Sequence, residues 1–125
     1  LKPGQDIKKE LEKFITSNNV EAGYILTCVG SLEKAALRLA GEDVVETFDE
    51  KFEVVSLVGT LSQDGVHIHI SLSRFKDGSV IGGHLKEGCI IHTTAEIVIA
   101  KSKKFIFSRK FDEDTGFKEL EIGDK

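Results

Sequence analysis

The chain has 125 residues, of which 40% are hydrophobic and 30% are charged, a composition typical of an ordinary globular domain. This length predicts one domain over residues 1–125, and no apolar run approaches the roughly 20 residues that span a bilayer, so we expect neither a membrane segment nor a signal peptide. The net charge of −4 counts against a large sequence-independent DNA surface, because neutralising phosphates requires clustered lysines and arginines.

The two cysteines indicate the redox setting of the protein. Cys28 and Cys89 each lie inside a hydrophobic run and have no CxxC spacing, a context that favours buried free thiols over a disulfide or a zinc knuckle. Free thiols predict a cytoplasmic location. Because Leu1 opens a chain that contains no methionine, we also expect that the initiator residue is absent.

In the N-terminal third of the chain, hydrophobic spacing predicts a helix followed by a strand. The apolar residues that recur at helical intervals are Ile7, Leu11, Phe14 and Ile15. They predict an amphipathic helix over about 5–18, and a continuous apolar run predicts a buried strand over about 22–31. Gly30 in that strand suggests a bulge or a close backbone approach. The next stretch, EKAALRLA, fits either a helix capped by Ser31 or an alternating strand, and the local pattern leaves both open.

The remainder of the chain is rich in strand patterns joined by turn signals. Two alternating segments predict strands over about 52–62 and 66–74, joined in a hairpin by Gln63-Asp64-Gly65. Asp77-Gly78 marks the next turn. Further strands are predicted over about 88–100 and in KFIFSRKFD. The predicted fold class is therefore α+β, a mostly antiparallel β-sheet with one or two helices packed on it.

A run of basic residues, KSKKFIFSRK, lies towards the C-terminus. Its members are Lys101, Lys103, Lys104, Arg109 and Lys110. A run of this kind is more often a solvated strand rim than a nucleic-acid groove. We therefore interpret it as a rim.

Several separated stretches match the pattern of a known family. They are LKPGQDI, CVGSLEKAALRLA, KFEVVSLVGTLSQDGVHIHISLS and GSVIGGHLKEGCIIHTTAEIVI. In their order, their spacing and the pairing of HxH with GGHL, they resemble the plant and prokaryote conserved domain, called the PPC domain. The resemblance extends from about residue 1 to residue 112, which is nearly the whole chain.

The resemblance implies an α/β fold built on an antiparallel sheet, a strand for EKAALRLA, and a homotrimer. In plants the domain follows AT-hook motifs in nuclear DNA-binding proteins, where it mediates association with itself and with other proteins. Prokaryotic relatives often carry a DNA-binding name. This chain has no Arg-Gly-Arg core of an AT-hook. The resemblance therefore supports an oligomerising module with protein partners, linked to DNA-associated regulation, and does not extend to direct DNA binding.

Two of the four histidines lie one residue apart in the strand predicted over about 66–74. Because successive side chains of a strand point to opposite faces, His67 and His69 share the face opposite the apolar residues. At a Cα separation of about 6–7 Å both can bind one ion, and zinc needs a third ligand. His84 is the candidate, because Gly82-Gly83 permits an unusual backbone path beside it and because the family pattern pairs GGHL with HxH. We predict a site for zinc or another divalent transition metal on these three residues.

The histidine pair is also compatible with functions other than a metal site of this kind. Histidines on the polar face of a strand also form hydrogen bonds at a subunit interface, or simply face solvent, and this alternative stays open. A cupin also binds metal through such a strand, but its pattern requires a glutamate shortly after the second histidine. The segment HISLSRF contains none, so we set the cupin interpretation aside.

Glu96 and His92, which share one face of the strand predicted over about 88–100, are candidates for supporting roles at the site. An unpaired buried carboxylate is unfavourable, so we expect Glu96 to pair with a base such as Arg38 or to be exposed at a rim. If Glu96 lay near the histidines, it could orient a metal ligand or act as a general base. His92 is interpreted first as structural and second as a supporting residue of the metal site.

Three functional hypotheses follow from these patterns. The first is a cytoplasmic homotrimeric interaction module with a histidine-lined metal site, and the second is a small metal-dependent hydrolase or lyase that uses the same histidines around a bound water. The third is a DNA-associated regulator. No catalytic residue is identified, because Ser31 and Cys28 have no base visible in the sequence, and neither a phosphate-binding glycine loop nor a GxSxG motif occurs.

Overall fold

The computed structural model describes residues 1–41 and 43–125 and contains, in that part of the chain, one helix and eight strands. Their bounds are α1 Ile7–Ser17, β1 Gly23–Arg38, β2 Val45–Phe48, β3 Phe52–Ser62, β4 Gly65–Arg74, β5 Val80–Leu85, β6 Ile90–Lys101, β7 Phe105–Phe111 and β8 Lys118–Asp124. The predicted class, α+β with a mostly antiparallel sheet, is confirmed. Within the described ranges, no helix is long and apolar enough to cross a membrane.

The sheet is organised around β1, which is 16 residues long. Along its length β1 pairs antiparallel with β2, β3, β5 and β6. Because β3 also pairs with β4 and β4 with β5, the return of β5 to the end of β1 closes a ring of four strands. β7 and β8 form a separate two-stranded sheet. The ring places the C-terminal end of β1 next to β5.

Most of EKAALRLA lies within β1, as the family resemblance implies and as the local pattern left open. Its neighbour Leu32 and its own Ala35 and Leu37 are fully buried, which stabilises an extended conformation through packing. β1 continues through Gly30, where an added Cβ would lie 2.3 Å from the carbonyl oxygen of Thr94. Gly30 therefore allows the close backbone approach that was predicted, and the β1–β6 register shifts just beyond it.

Helix α1 is fixed to the sheet at its first turn by Asp6. One carboxylate oxygen of Asp6 accepts a hydrogen bond from the backbone N–H of Lys9 (3.2 Å), as a helix cap does. The other accepts from the backbone N–H of Gly88 (2.7 Å), just before β6. Ile7, Leu11 and Ile15 are buried, whereas Phe14 is exposed.

The hydrophobic core lies between α1 and the inner face of the sheet. The predicted alternation in β4 is confirmed, since Ile68, Ile70 and Leu72 are all buried. Cys28 and Cys89 are buried free cysteines, as predicted, and burial raises the pKa of each thiol to about 11. Both are therefore protonated near neutral pH, which makes them poor nucleophiles.

Three strands were not predicted, namely β2, β5 and β8. The sequence of β5 contains Gly82 and Gly83, which have low strand propensity, yet β5 is held between β4 and the end of β1. β8 is largely polar and exposed and pairs only with β7, in the described structure. These segments are strands because they pair with other strands of the chain, and local sequence patterns do not reveal such pairing.

Candidate metal centre

The three candidate metal ligands lie on adjacent strands, β4 and β5. His69 and His84 are directly opposite each other in the antiparallel register, and His67 lies two residues before His69 on the same strand face. His67 and His69 are exposed, and His84 is half-buried. Strand pairing therefore brings together two neighbours in sequence and a third residue from the next strand.

The imidazole nitrogens point at one another. Nδ1 of His84 lies 3.3 Å from Nε2 of His67 and 3.2 Å from Nε2 of His69. One ligand nitrogen from each of the three residues lies within 4.8 Å of the other two. Each neutral imidazole has one donor and one acceptor nitrogen, so the tautomer of each ring decides which of these nitrogens carries a proton and which offers a lone pair to an ion.

The surroundings of the cluster disfavour protonation of His84 and His67. Burial is the main cause, and the positive charge of Arg38 the next largest, of a pKa of His84 lowered to about 4. Burial, followed by the charges of His69 and Arg109, also lowers the pKa of His67. A metal ligand must be an unprotonated imidazole, so at least two of the three residues are in the required state at neutral pH.

The residues present fit a tetrahedral metal ion. Zinc–nitrogen bonds of 2.0–2.1 Å at tetrahedral angles place ligand nitrogens about 3.3 Å apart. The two short nitrogen–nitrogen distances in the cluster are 3.2 and 3.3 Å. Three histidines would leave the fourth position of the ion open.

An open cleft of about 610 Å³ lies on one side of the cluster and includes His67 and His84 in its wall. The cleft is also lined by Arg38, Lys86 and Arg109, together with the following residues: Ala40, Gly41, Asp43, Asp64, Gly65, Val66, Phe117, Lys118 and Glu119. On the other side, a depression of about 200 Å³ is formed by His67, His69 and residues 58–60 of β3. The cluster is therefore accessible from solvent.

The two other predicted site residues lie elsewhere. Nδ1 of His92 is 3.9 Å from a carboxylate oxygen of Glu33, and its ring packs edge-on against Phe75. Among the described residues, the group whose ligand atoms lie within 4.8 Å of one another consists of His67, His69 and His84 and does not include His92.

Glu96 is exposed, one of the two outcomes expected for it. It is paired in register with Val29, whereas Arg38 pairs with His84 at the far end of β1. From position 29 to position 38 the strand extends about 30 Å. The expected pairing of Glu96 with Arg38 is therefore wrong, and Glu96 does not reach the histidines of its own chain.

The sequence patterns missed the basic residues that surround the histidines. Arg38 lies beside His84 only because β5 pairs with β1, and Arg109 was assigned to a solvated rim. Lys86 could have been noticed, since it follows His84 by two positions. The pKa of the Lys86 ammonium group is lowered, mainly by burial and to a smaller extent by the charges of Arg38 and Lys8.

The chain is thus an α+β protein whose antiparallel sheet displays a three-histidine candidate metal centre. The model of the Plants and Prokaryotes Conserved (PCC) domain matches residues 1–103. The chain therefore belongs to this family, which is the same PPC domain that its sequence motifs resemble.

Solved structures similar to the chain share this fold. A hypothetical protein from Salmonella cholerae-suis is 38% identical with a TM-score of 0.96, and the match covers 100% of this chain and 90% of that one. A metal-containing protein from Archaeoglobus fulgidus is 27% identical with a TM-score of 0.81, over 97% and 89% of the two chains. A candidate DNA-binding protein from Bacteroides thetaiotaomicron is 26% identical with a TM-score of 0.85, over 97% and 87%.

Among curated proteins, the bifunctional protein GlmU from Synechococcus sp. (strain JA-3-3Ab) is 47% identical over 122 residues. The match covers 98% of this chain and 20% of GlmU. The chain thus spans about a fifth of the length of the curated relatives that it matches.

Proposed function

We propose that the chain is a self-associating PPC module, a homotrimer, that holds one divalent transition-metal ion on His67, His69 and His84. The observation that carries the proposal is the convergence of three imidazole nitrogens within 4.8 Å. Zinc suits this ligand set best, because it accepts three histidines in tetrahedral coordination. The similarity to a metal-containing protein from Archaeoglobus fulgidus supports it.

When bound, such an ion would act as a Lewis acid and lower the pKa of a water in its open position. The chain itself supplies three things. The β4–β5 pairing orients His69 and His84, the charge of Arg38 disfavours protonation of His84, and the cleft gives a small ligand access to the cluster.

Elemental analysis of protein purified without a histidine tag tests the metal site. We expect about one zinc or other transition-metal ion per chain, and loss of that metal in the double variant His67→Ala/His69→Ala. His92→Ala is the matched control, because it removes a histidine outside the cluster and should leave the metal content unchanged. Absence of metal from the wild-type protein, both as purified and after incubation with zinc, would contradict the proposal.

The exposed face of the sheet supports the homotrimer. Six large apolar side chains of β1, β3 and β6 are between 45% and 59% exposed, namely Tyr24, Leu26, Val29, Val55, Val58 and Val98. Exposed apolar patches on a sheet commonly mark contact surfaces. Val58 is the register partner of His69, so this apolar face continues into the histidine cluster.

A metal-dependent hydrolase or lyase is the second candidate function. The observation that favours it is the open cleft, which offers carboxylates such as Asp64 and Glu119 near His67 as candidate general bases. Glu96 is not suited to this role within one chain. Turnover of chromogenic esters or phosphoesters by zinc-loaded protein, abolished in His69→Ala and retained in His92→Ala, would support this candidate, and no turnover would exclude it for those substrates.

We place residues 1–125 in one domain, supported by hydrogen bonds from Arg109 to Asp64 and Thr60. The free thiols support a cytoplasmic location. Similarity to a candidate DNA-binding protein supports a link to DNA-associated regulation, and the acidic net charge leads us to place that link in protein partners.

A further inference from the structure

Four basic side chains line the cleft beside the histidine cluster, Lys118 of β8 and three from other segments. Arg38 is the register partner of His84 at the end of β1, Lys86 follows β5, and Arg109 comes from β7. All three line the same cleft. A metal cation would be repelled by these charges, so the metal site does not account for their placement.

The position of Arg109 is fixed by contacts to the β3–β4 hairpin. Its Nη2 donates a hydrogen bond to Oγ1 of Thr60 (2.5 Å), and its backbone N–H donates to Oδ2 of Asp64 (3.1 Å). Thr60 is in turn the register partner of His67. These contacts hold Arg109 beside one end of the histidine cluster, while Arg38 and Lys86 lie beside the other end.

The cleft also contains three carboxylates, Asp43, Asp64 and Glu119, and two of them accept hydrogen bonds from the chain. Asp64 accepts the backbone N–H of Arg109, and Glu119 accepts a hydrogen bond from Oγ1 of Thr115 at 2.9 Å. The guanidinium of Arg38 lies over the ring of Phe117, 5.9 Å from its centre. With four basic and three acidic residues, the described lining presents a net positive charge to a bound ligand.

We propose that this cleft binds a phosphate-bearing small molecule, with the phosphate held between Arg38, Lys86 and Arg109. Guanidinium groups bind phosphate oxygens through paired, charge-assisted hydrogen bonds, and three cations match a group that carries more than one negative charge. The volume of about 610 Å³ is in the range of small-molecule sites. The inference goes beyond the metal proposal and does not require it.

Calorimetric titration of the untagged protein with phenyl phosphate tests the proposal. We expect saturable binding by the wild-type protein and an affinity about tenfold lower in Lys86→Gln and in Arg109→Gln, since each loses a charge-assisted contact. Lys103→Gln is the matched control, because it makes the same charge change at an exposed position outside the cleft. Lys86→Gln keeps the test valid if loss of the Arg109 contacts impairs folding.

No saturable binding by the wild-type protein, or equal affinities in the cleft variants and the control, would overturn the proposal. Binding of duplex DNA without binding of phenyl phosphate would overturn it as well. Metal content measured on the same samples separates the two proposals: bound phosphate without metal supports the cleft alone, and bound metal without phosphate supports the metal site alone.

Discussion

His84 is the ligand on which the electrostatics of the candidate metal centre depend most. It is less exposed than His67 and His69, it contacts both of them, and it faces the charge of Arg38 across the β1–β5 pairing. A proton on His84 would therefore lie close to a guanidinium and in a partly desolvated position. The same arrangement that prepares the imidazole for metal makes the metal-free protein sensitive to acid.

We predict that stability of the metal-free protein falls between pH 6.5 and about 4 because of His84. Its pKa is about 4 in the folded chain and 6.5 as a free side chain, so in this window the unfolded chain binds a proton that the folded chain does not. The contribution is fully present above pH 6.5 and is lost as the pH falls towards 4. Urea unfolding in the presence of a chelator, at pH 7 and at pH 4.5, measures the difference.

The control for this prediction is a variant that cannot titrate at position 84. His84→Gln should lose less stability than the wild-type protein between the two pH values, while His92→Gln should lose as much as the wild-type protein. Carboxyl groups titrate in all three proteins and cancel in the comparison. An equal loss in His84→Gln and in the wild-type protein would contradict the assignment.

Among the elements, β5 determines whether a third ligand reaches the HxH pair. It has only six residues and is held on one side by β4 and on the other by the end of β1. An added Cβ at Gly83 would lie 2.7 Å from the carbonyl oxygen of Arg38. The absence of a side chain there lets β5 approach β1 closely while it stays paired with β4, the pairing that places His84 opposite His69.

We predict that Gly83→Ala destabilises the protein by about 1–3 kcal/mol, as overpacking against backbone does, and weakens zinc binding by moving His84. Gly123→Ala is the matched control, since an added Cβ at Gly123 would meet no atom within 4 Å. Urea unfolding and zinc titration of both variants check the prediction. Zinc affinity unchanged in a destabilised Gly83→Ala protein would show that β5 does not position the ligand.

Features of the fold and of the candidate site could be predicted from the sequence where they depend on residues close together in the chain, and not where they depend on contacts between distant segments. The face shared by His67 and His69 follows from the two-residue period of a strand, which is local. The pairing of His84 with His69 depends on strand register, which no local pattern reports, and only the family pattern indicated it. The approach of Arg38 and Arg109 to the cleft was missed for the same reason, as it arises from long-range contacts of β1 and β7.

The apolar outer face of the sheet predicts self-association. We predict that the wild-type protein has a mass of three times the 13.8 kDa of the chain, and that Leu26→Lys shifts it to smaller species. Leu26 is 59% exposed in the middle of that face, and burying a lysine charge in an interface is unfavourable. Sedimentation equilibrium measures the mass.

Phe111→Lys is the matched control for Leu26→Lys. Phe111 is 60% exposed but belongs to β7, outside the face formed by β1, β3 and β6, so this variant should remain a trimer. A monomeric wild-type protein would refute the homotrimer. Dissociation of both variants alike would instead assign the contact to a surface broader than the sheet face.

From the charge distribution we predict that the protein binds duplex DNA only weakly. The basic run near the C-terminus does not form one surface: Arg109 turns into the cleft, Lys110 forms an ion pair with Glu121 at 3.3 Å, and the net charge of the chain is −4. Sequence-independent binding requires several free cations facing the phosphates and falls steeply with salt. Fluorescence anisotropy of a labelled duplex at 50 and 200 mM salt should show little binding at either concentration. Tight binding that weakens steeply with added salt would contradict this expectation and favour the regulator hypothesis.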